Sequence, residues 1–101
     1  MGKYFVDQYS YLHFASGIVA YFWGLSFGKW IFLHALFEIV ENTPFGIYFI
    51  NNYFTLWPGG KPVSDSFINS LGDNFFSFLG WLSAYYIDYF GTKYKWYIKH
   101  P

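Results

Sequence analysis

The first long stretch of the chain without a formal charge is residues 8–28, which read QYSYLHFASGIVAYFWGLSFG. Residues 42–60 and 74–87 form two further stretches without Asp, Glu, Lys or Arg. An apolar stretch of about 18 residues or more is a candidate membrane-spanning helix. The pattern therefore predicts about three spans, near residues 11–27, 30–50 and 65–90.

The composition points to the same class of protein. Charged residues make up 12 % of the 101 residues and hydrophobic ones 54 %, whereas soluble domains carry about 25 % charged residues. Aromatic residues reach 30 %, and Tyr and Trp suit the two interfaces of a membrane. Because backbone groups in lipid must be satisfied within the segment, we expect the spans to be helices. The predicted fold is all-α, a small polytopic transmembrane helical bundle that occupies residues 1–101 as a single membrane domain.

Local signals divide the chain further. Pro44 removes a backbone donor and predicts a kink or break inside the second span. Residues 57–62, which read WPGGKP, predict a loop. Gly28 begins a candidate tight turn, and Ser64 or Asp65 is the expected cap of the third span.

The positions of the lysines and the absence of Arg and Cys limit the expected location and partners of the chain. Three spans place Lys3 and Lys61 on one side of the membrane and four lysines on the other: Lys29, Lys93, Lys95 and Lys99. This excess favours a multi-pass protein with a cytoplasmic C-terminus. The expected partners are the lipid bilayer and other membrane proteins or a second copy. The chain has no Arg, which disfavours nucleic acid, and it has no Cys for a disulfide.

Polar residues inside the spans predict a site at the centre of the bundle. Ionisable side chains within a membrane face the bundle interior and find partners there. Helical spacing places His34 on the same face as Glu38, although its position near the start of the span suits lipid head groups equally well. The predicted polar intramembrane site contains His13, Glu38, Glu41, Asn42, Asp65, Asn69 and Asp73.

Four carboxyl groups this close cannot all be ionised without a counter-charge. Protonated carboxyls, a bound cation or a cationic ligand group would each resolve the conflict. Asp65 has the alternative role of a helix cap. A purely structural role is the alternative for Glu38, Glu41 and Asn42. The pair His34 and Glu38 has the spacing of metal ligands, but such a pair alone identifies neither a cofactor nor a particular metal.

Small residues and aromatic residues add two expectations. Gly17, Gly24 and Gly28 predict close packing of the first span against another helix. Asp88 lies among tyrosines and is expected to be an anchor in an aromatic belt at the interface. No complete catalytic motif is present, neither a nucleophile elbow nor H-E-x-x-H nor a phosphate loop, so the sequence disfavours an enzyme.

Three segments resemble a known family. They are residues 9–13 with Gly17, residues 37–44, and residues 65–70 with Asp73 and Gly80. Together they resemble an uncharacterised bacterial membrane-protein family that looks like a branch of the VanZ-like proteins. That wider group is similar in having a His, then a Glu, then D-x-x-x-N-x-x-G, which Asp65, Asn69 and Gly72 match. The resemblance implies a membrane protein with an intramembrane polar site.

The sequence leaves several functions open. One is a membrane protein whose acidic site binds a cation, a proton or a lipid head group. The alternative is a structural or accessory subunit of a larger membrane assembly, for example the internal membrane of a virus. A membrane enzyme acting on lipid-linked substrates is the least favoured.

Overall fold

The structure, a computed structural model, describes residues 3–54, 56 and 64–97. Within those ranges the chain forms helices and no strand, so the all-α prediction is confirmed there. The four helices are α1 (Ser10–Phe22), α2 (Phe27–Glu41), α3 (Pro44–Asn52) and α4 (Phe67–Lys93). None of these described helices is both long enough and apolar enough to cross a membrane.

The first helix is shorter than the predicted 11–27 because it ends in a glycine turn. Gly24 has a φ of +85°, a conformation that other residues rarely adopt. Its N–H donates to the carbonyl of Tyr21 (3.0 Å), and the N–H of Leu25 donates to the carbonyl of Ala20 (3.2 Å). These two bonds form a Schellman motif, which ends a helix. The turn therefore lies at Gly24, and Gly28 already belongs to α2.

The segment predicted as one span over 30–50 consists of two helices. The break lies just before Pro44, as its missing N–H predicted, and that expectation is confirmed. Pro44 occupies the first turn of α3, where its fixed φ suits a helix. The Thr43 hydroxyl caps α3 by accepting from the N–H of Gly46 (3.1 Å). The chain can therefore change direction between α2 and α3 without leaving these backbone donors unsatisfied.

The last helix begins later and ends later than the predicted 65–90. The Ser66 hydroxyl accepts from the N–H of Asn69 (3.1 Å), so Ser66 is the cap, rather than Ser64 or Asp65. The helix passes through Gly91 and ends at Lys93. The predicted loop at residues 57–62, together with Lys61, Lys99 and His100, lies outside the described residues.

Glycines bring α1 and α4 close together. A Cβ at Gly17 would overlap the backbone of Ser77, and a Cβ at Gly80 would overlap the backbone of Phe14. Small residues at such a contact let two helix backbones approach. A Cβ at Gly24 or Gly28 would meet no atom within 4 Å, so the predicted packing role is wrong for these two residues in the described chain.

The interior of the bundle is mostly polar. Only Ala20, Ile50, Trp81 and Ala84 are buried hydrophobic residues among those described. The buried polar residues outnumber them: Ser10, His13, His34, Glu38, Glu41, Asn69, Asp73 and Ser77. Soluble domains bury apolar side chains and expose charged ones. This bundle has the opposite arrangement around its centre.

Candidate functional site

Three helices contribute to the polar centre. α1 supplies His13, α2 supplies His34 and Glu38, and α4 supplies Asp73. Each of these four side chains is exposed by 4 % or less. Glu38 follows His34 by one helical turn, so both project from the same side of α2. The close approach of α1 and α4 at Gly17 then places His13 beside α4.

The two histidines contact each other directly. Nδ1 of His13 lies 3.0 Å from Nε2 of His34, and the two rings meet edge to face. Sequence analysis left His34 outside the site because its position near the start of a span also suited head groups. Its spacing from Glu38 was the signal that it belongs here.

A chain of hydrogen bonds determines which nitrogen of His34 carries hydrogen. Nδ2 of Asn74 donates to the carbonyl of Ser70 (3.0 Å), which turns Oδ1 of Asn74 toward His34. Because an amide oxygen only accepts, Nδ1 of His34 must donate to it across 2.8 Å. In the neutral ring, Nε2 of His34 then has a lone pair and faces His13.

The other side of His13 faces a carboxyl group. Nε2 of His13 lies 3.4 Å from Oδ2 of Asp73, and both side chains are buried. The second oxygen of Asp73, Oδ1, receives no hydrogen bond from an N–H among the described residues. His13 therefore links His34 to Asp73 across the centre of the bundle.

Glu38 is the least satisfied polar residue of the centre. Both of its carboxyl oxygens are buried and receive no hydrogen bond from an N–H in the described part of the chain, and they lie against the carboxyl groups of Asp73 and Glu41. Buried polar atoms are normally hydrogen-bonded, and each exception needs an explanation. An ionised carboxylate without partners in a dry interior is especially unfavourable. A proton or a cation at Glu38 would remove this cost.

Two groups of potential metal ligands overlap at Glu38. His13, His34 and Glu38 each offer a ligand atom, and these atoms lie within 4.8 Å of one another. Glu38, Asp65 and Asp73 form a second group by the same measure. The first group contains two nitrogens and one carboxylate, whereas the second contains only oxygens. Glu38 alone belongs to both.

Asn42 supports the site and does not face its centre. Its Nδ2 donates to the carbonyl of Glu38 (2.8 Å), and its Oδ1 accepts from the N–H of Asp65 (2.7 Å). The side chain thus joins the end of α2 to the segment that precedes α4. This contact holds the half-buried Asp65 near Glu38.

Asn69 and Glu41, two further predicted site residues, differ from each other in their surroundings. Nδ2 of Asn69 donates to the carbonyl of Tyr4 (2.7 Å) and to Oδ2 of Asp7 (3.0 Å), so its amide anchors the N-terminal segment. Glu41 is buried one turn beyond Glu38 at the end of α2, and its carboxyl group contacts that of Glu38, so it belongs to the centre. Asp7 is therefore a further polar residue near this end of α4, which sequence analysis did not include.

Asp88 is hydrogen-bonded to two tyrosines, and its predicted role as an interfacial anchor stays a prediction. The hydroxyl of Tyr21 donates to its Oδ2, and the hydroxyl of Tyr97 donates to its Oδ1 (3.2 Å). It lies in α4, about four helical turns beyond Asp73. Asp88 is a partnered carboxylate in the same helix and provides a natural comparison for the site.

An apolar groove of about 500 Å³ lies beside α1 and α2, and its lining includes His34. Its other walls are mainly apolar, among them Leu12, Val19 and Phe37. A ligand that reached the imidazole from this side would need an apolar surface.

No protein-family model, curated protein or solved structure matches the chain. The resemblance to the VanZ-like proteins therefore stays a prediction.

Proposed function

We propose that this chain is a membrane-embedded helical protein that binds a cation in its polar centre. The observation that carries the proposal is the carboxyl group of Glu38. Both of its oxygens are buried and receive no hydrogen bond from an N–H in the described chain, while the carboxyl groups of Asp73 and Glu41 lie against them and further potential ligands are within reach.

The apolar exterior supports the membrane part of the proposal. Large hydrophobic side chains are exposed along every helix, for example Phe32 (67 %), Phe45 (73 %) and Phe67 (76 %). Exposed apolar patches of this extent mark a surface for lipid or for another protein. The polar residues Asn69 and Asp73 of α4 lie on its buried face, so its outward face is more apolar than the helix as a whole.

The dimensions and the aromatic residues are also consistent with a bilayer. The chain extends 47 Å along its longest axis, and a bilayer with its head-group regions is about 40–45 Å thick. Exposed aromatic side chains cluster near the C-terminal end of α4: Tyr85, Tyr86, Tyr89, Phe90 and Tyr94. Tyrosine is enriched where a membrane meets water.

The chemistry of the centre supports the cation. Glu38 and Asp73 have buried oxygens that receive no hydrogen bond from an N–H among the described residues, and Asp65 lies close enough to bind the same cation. Burying one ion without compensation costs on the order of several kcal/mol after the protein relaxes. A divalent cation would neutralise these carboxylates and use oxygens that otherwise receive no hydrogen bond from an N–H in the described chain.

Equilibrium dialysis of the purified full-length chain in detergent tests the proposal. The protein is dialysed against Mg²⁺, Ca²⁺, Mn²⁺ and Zn²⁺ in turn, and its metal content is measured. Wild type should retain at least one of these ions, Glu38→Gln should lose it, and Asp88→Asn should behave as wild type. If folded wild type retains none, the centre is a protonated structural core and the proposal is wrong.

A further inference from the structure

We propose that the centre holds two metal ions, one on either side of Glu38, with this carboxylate bridging them. The inference rests on the proposed cation-binding function and extends it. One position would use His13, His34 and Glu38, and the other would use Glu38, Asp65 and Asp73.

The histidine position has the hydrogen-bond arrangement of a metal site. Ligating histidines usually donate their second N–H to a carbonyl or carboxylate oxygen, which orients the ring. Nδ1 of His34 donates in this way to Asn74, and Nε2 of His13 faces the carboxyl group of Asp73. The remaining nitrogens, Nδ1 of His13 and Nε2 of His34, lie next to each other.

The distance between these two nitrogens suits neighbouring ligands of one ion. They lie 3.0 Å apart, and two nitrogens at about 2.1 Å from a metal are about 3 Å apart when they subtend a right angle. In the absence of metal, a proton shared between the rings occupies this contact. When a metal ion binds, this proton would move to Nε2 of His13, which faces Asp73, so that both contacting nitrogens offer lone pairs.

The second position has a different donor chemistry. Glu38, Asp65 and Asp73 offer only carboxylate oxygens, the ligands of hard cations such as Mg²⁺, Ca²⁺ and Mn²⁺. The N–H of Asp65 is bound to Asn42, which keeps this residue close to the end of α2. Imidazole ligands at the first position suit a transition metal, and the right-angle spacing of its two nitrogens suits an octahedral ion better than tetrahedral Zn²⁺.

Glu38 is the residue that joins the two positions. It has two oxygens, both buried and both without a hydrogen bond from an N–H in the described ranges, and each ligand group requires one oxygen from it. In known two-metal sites the ions are about 3.5–4 Å apart, a separation that the two oxygens of one carboxylate can bridge. A single ion would leave one of the ligand groups unused.

The metal-to-protein ratio tests the inference. The full chain in detergent is dialysed against Mn²⁺ and the bound metal is counted per chain. We expect two ions for wild type and for the control Asp88→Asn. We expect one for His34→Gln, one for Asp65→Asn, and none for Glu38→Gln.

Each alternative outcome has a distinct meaning. One ion in wild type, unchanged by His34→Gln, would overturn the two-metal inference and leave the cation-binding function intact. No ion in wild type would overturn both. Because His34→Gln can disturb folding, electron paramagnetic resonance of Mn²⁺-loaded wild type supplies a second measurement. Spin coupling between two ions and a ¹⁴N signal from histidine are expected, and the lack of either would contradict the inference.

Discussion

Nδ1 of His13 lies 3.0 Å from Nε2 of His34, so α1 and α2 meet through two imidazole rings 21 residues apart in sequence. This contact is part of a polar network that continues to Asn74 on one side and to Asp73 on the other. Polar side chains at the centre and many exposed aromatic side chains differ from the arrangement of the usual soluble domain.

The contact between α1 and α4 predicts opposite outcomes for two glycines. Gly17→Ala should destabilise the protein by about 1–3 kcal/mol, because a Cβ there would overlap the backbone of Ser77. Gly28→Ala should be neutral or stabilise by up to about 1 kcal/mol, because the position is open and Ala favours a helix. Denaturant titration in micelles, followed by circular dichroism, measures both. Equal effects of the two substitutions would show that this helix contact is misplaced.

The start of α4 predicts a second matched pair. The Ser66 hydroxyl accepts from the N–H of Asn69 and donates to the carbonyl of Lys3 (3.0 Å). Ser66→Ala should therefore lower the free energy of unfolding by about 1–2 kcal/mol. Ser64 is exposed, and Ser64→Ala should change it by less than about 0.5 kcal/mol. The same denaturant titration measures both free energies of unfolding. A larger loss of stability for Ser64→Ala than for Ser66→Ala would place the cap at Ser64, where the sequence predicted it.

The apolar exterior predicts contact with lipid. The chain has no Cys, so single-cysteine variants at Leu71, Phe75 and Leu79 can carry a spin label without background. In lipid vesicles these labels should be more accessible to oxygen than to a water-soluble nickel complex, since all three side chains are at least 40 % exposed on α4. The control is a label at Lys95, two residues beyond the end of α4. Greater nickel accessibility at the three α4 positions would contradict bilayer embedding.

Much of the fold followed from local rules. The break before Pro44 needs only the missing N–H of proline, and the sequence predicted it. The true end of α1 was harder to predict, because the charge-free stretch continues past it to Gly28. Charge patterning cannot distinguish a helix from an apolar turn. The φ of +85° at Gly24, which ends α1, is a property of the folded backbone.

The candidate site was only partly readable for a similar reason. Helical spacing places Glu38 and His34 on one face, but spacing within one helix cannot tell which neighbour a side chain meets. His34 joined the centre because His13 and Asn74 lie opposite it. Asn69 shares a face with Asp73, yet its amide binds Tyr4 and Asp7 of the N-terminal segment. Both outcomes depend on contacts between distant parts of the chain, and cation binding itself stays a proposal.

The most direct test of cation binding compares the unfolding free energies of wild type and Glu38→Gln, each with and without the ion that dialysis identifies. Without the ion, Glu38→Gln should be as stable as wild type or more stable, because it removes one acidic group from a buried cluster of carboxyls. With the ion at 100 times its Kd, wild type should gain about 2.7 kcal/mol and the variant nothing. The order of stability should therefore reverse when the ion is added. If the same ion stabilises both proteins equally, or neither, Glu38 is not a ligand and the account is contradicted.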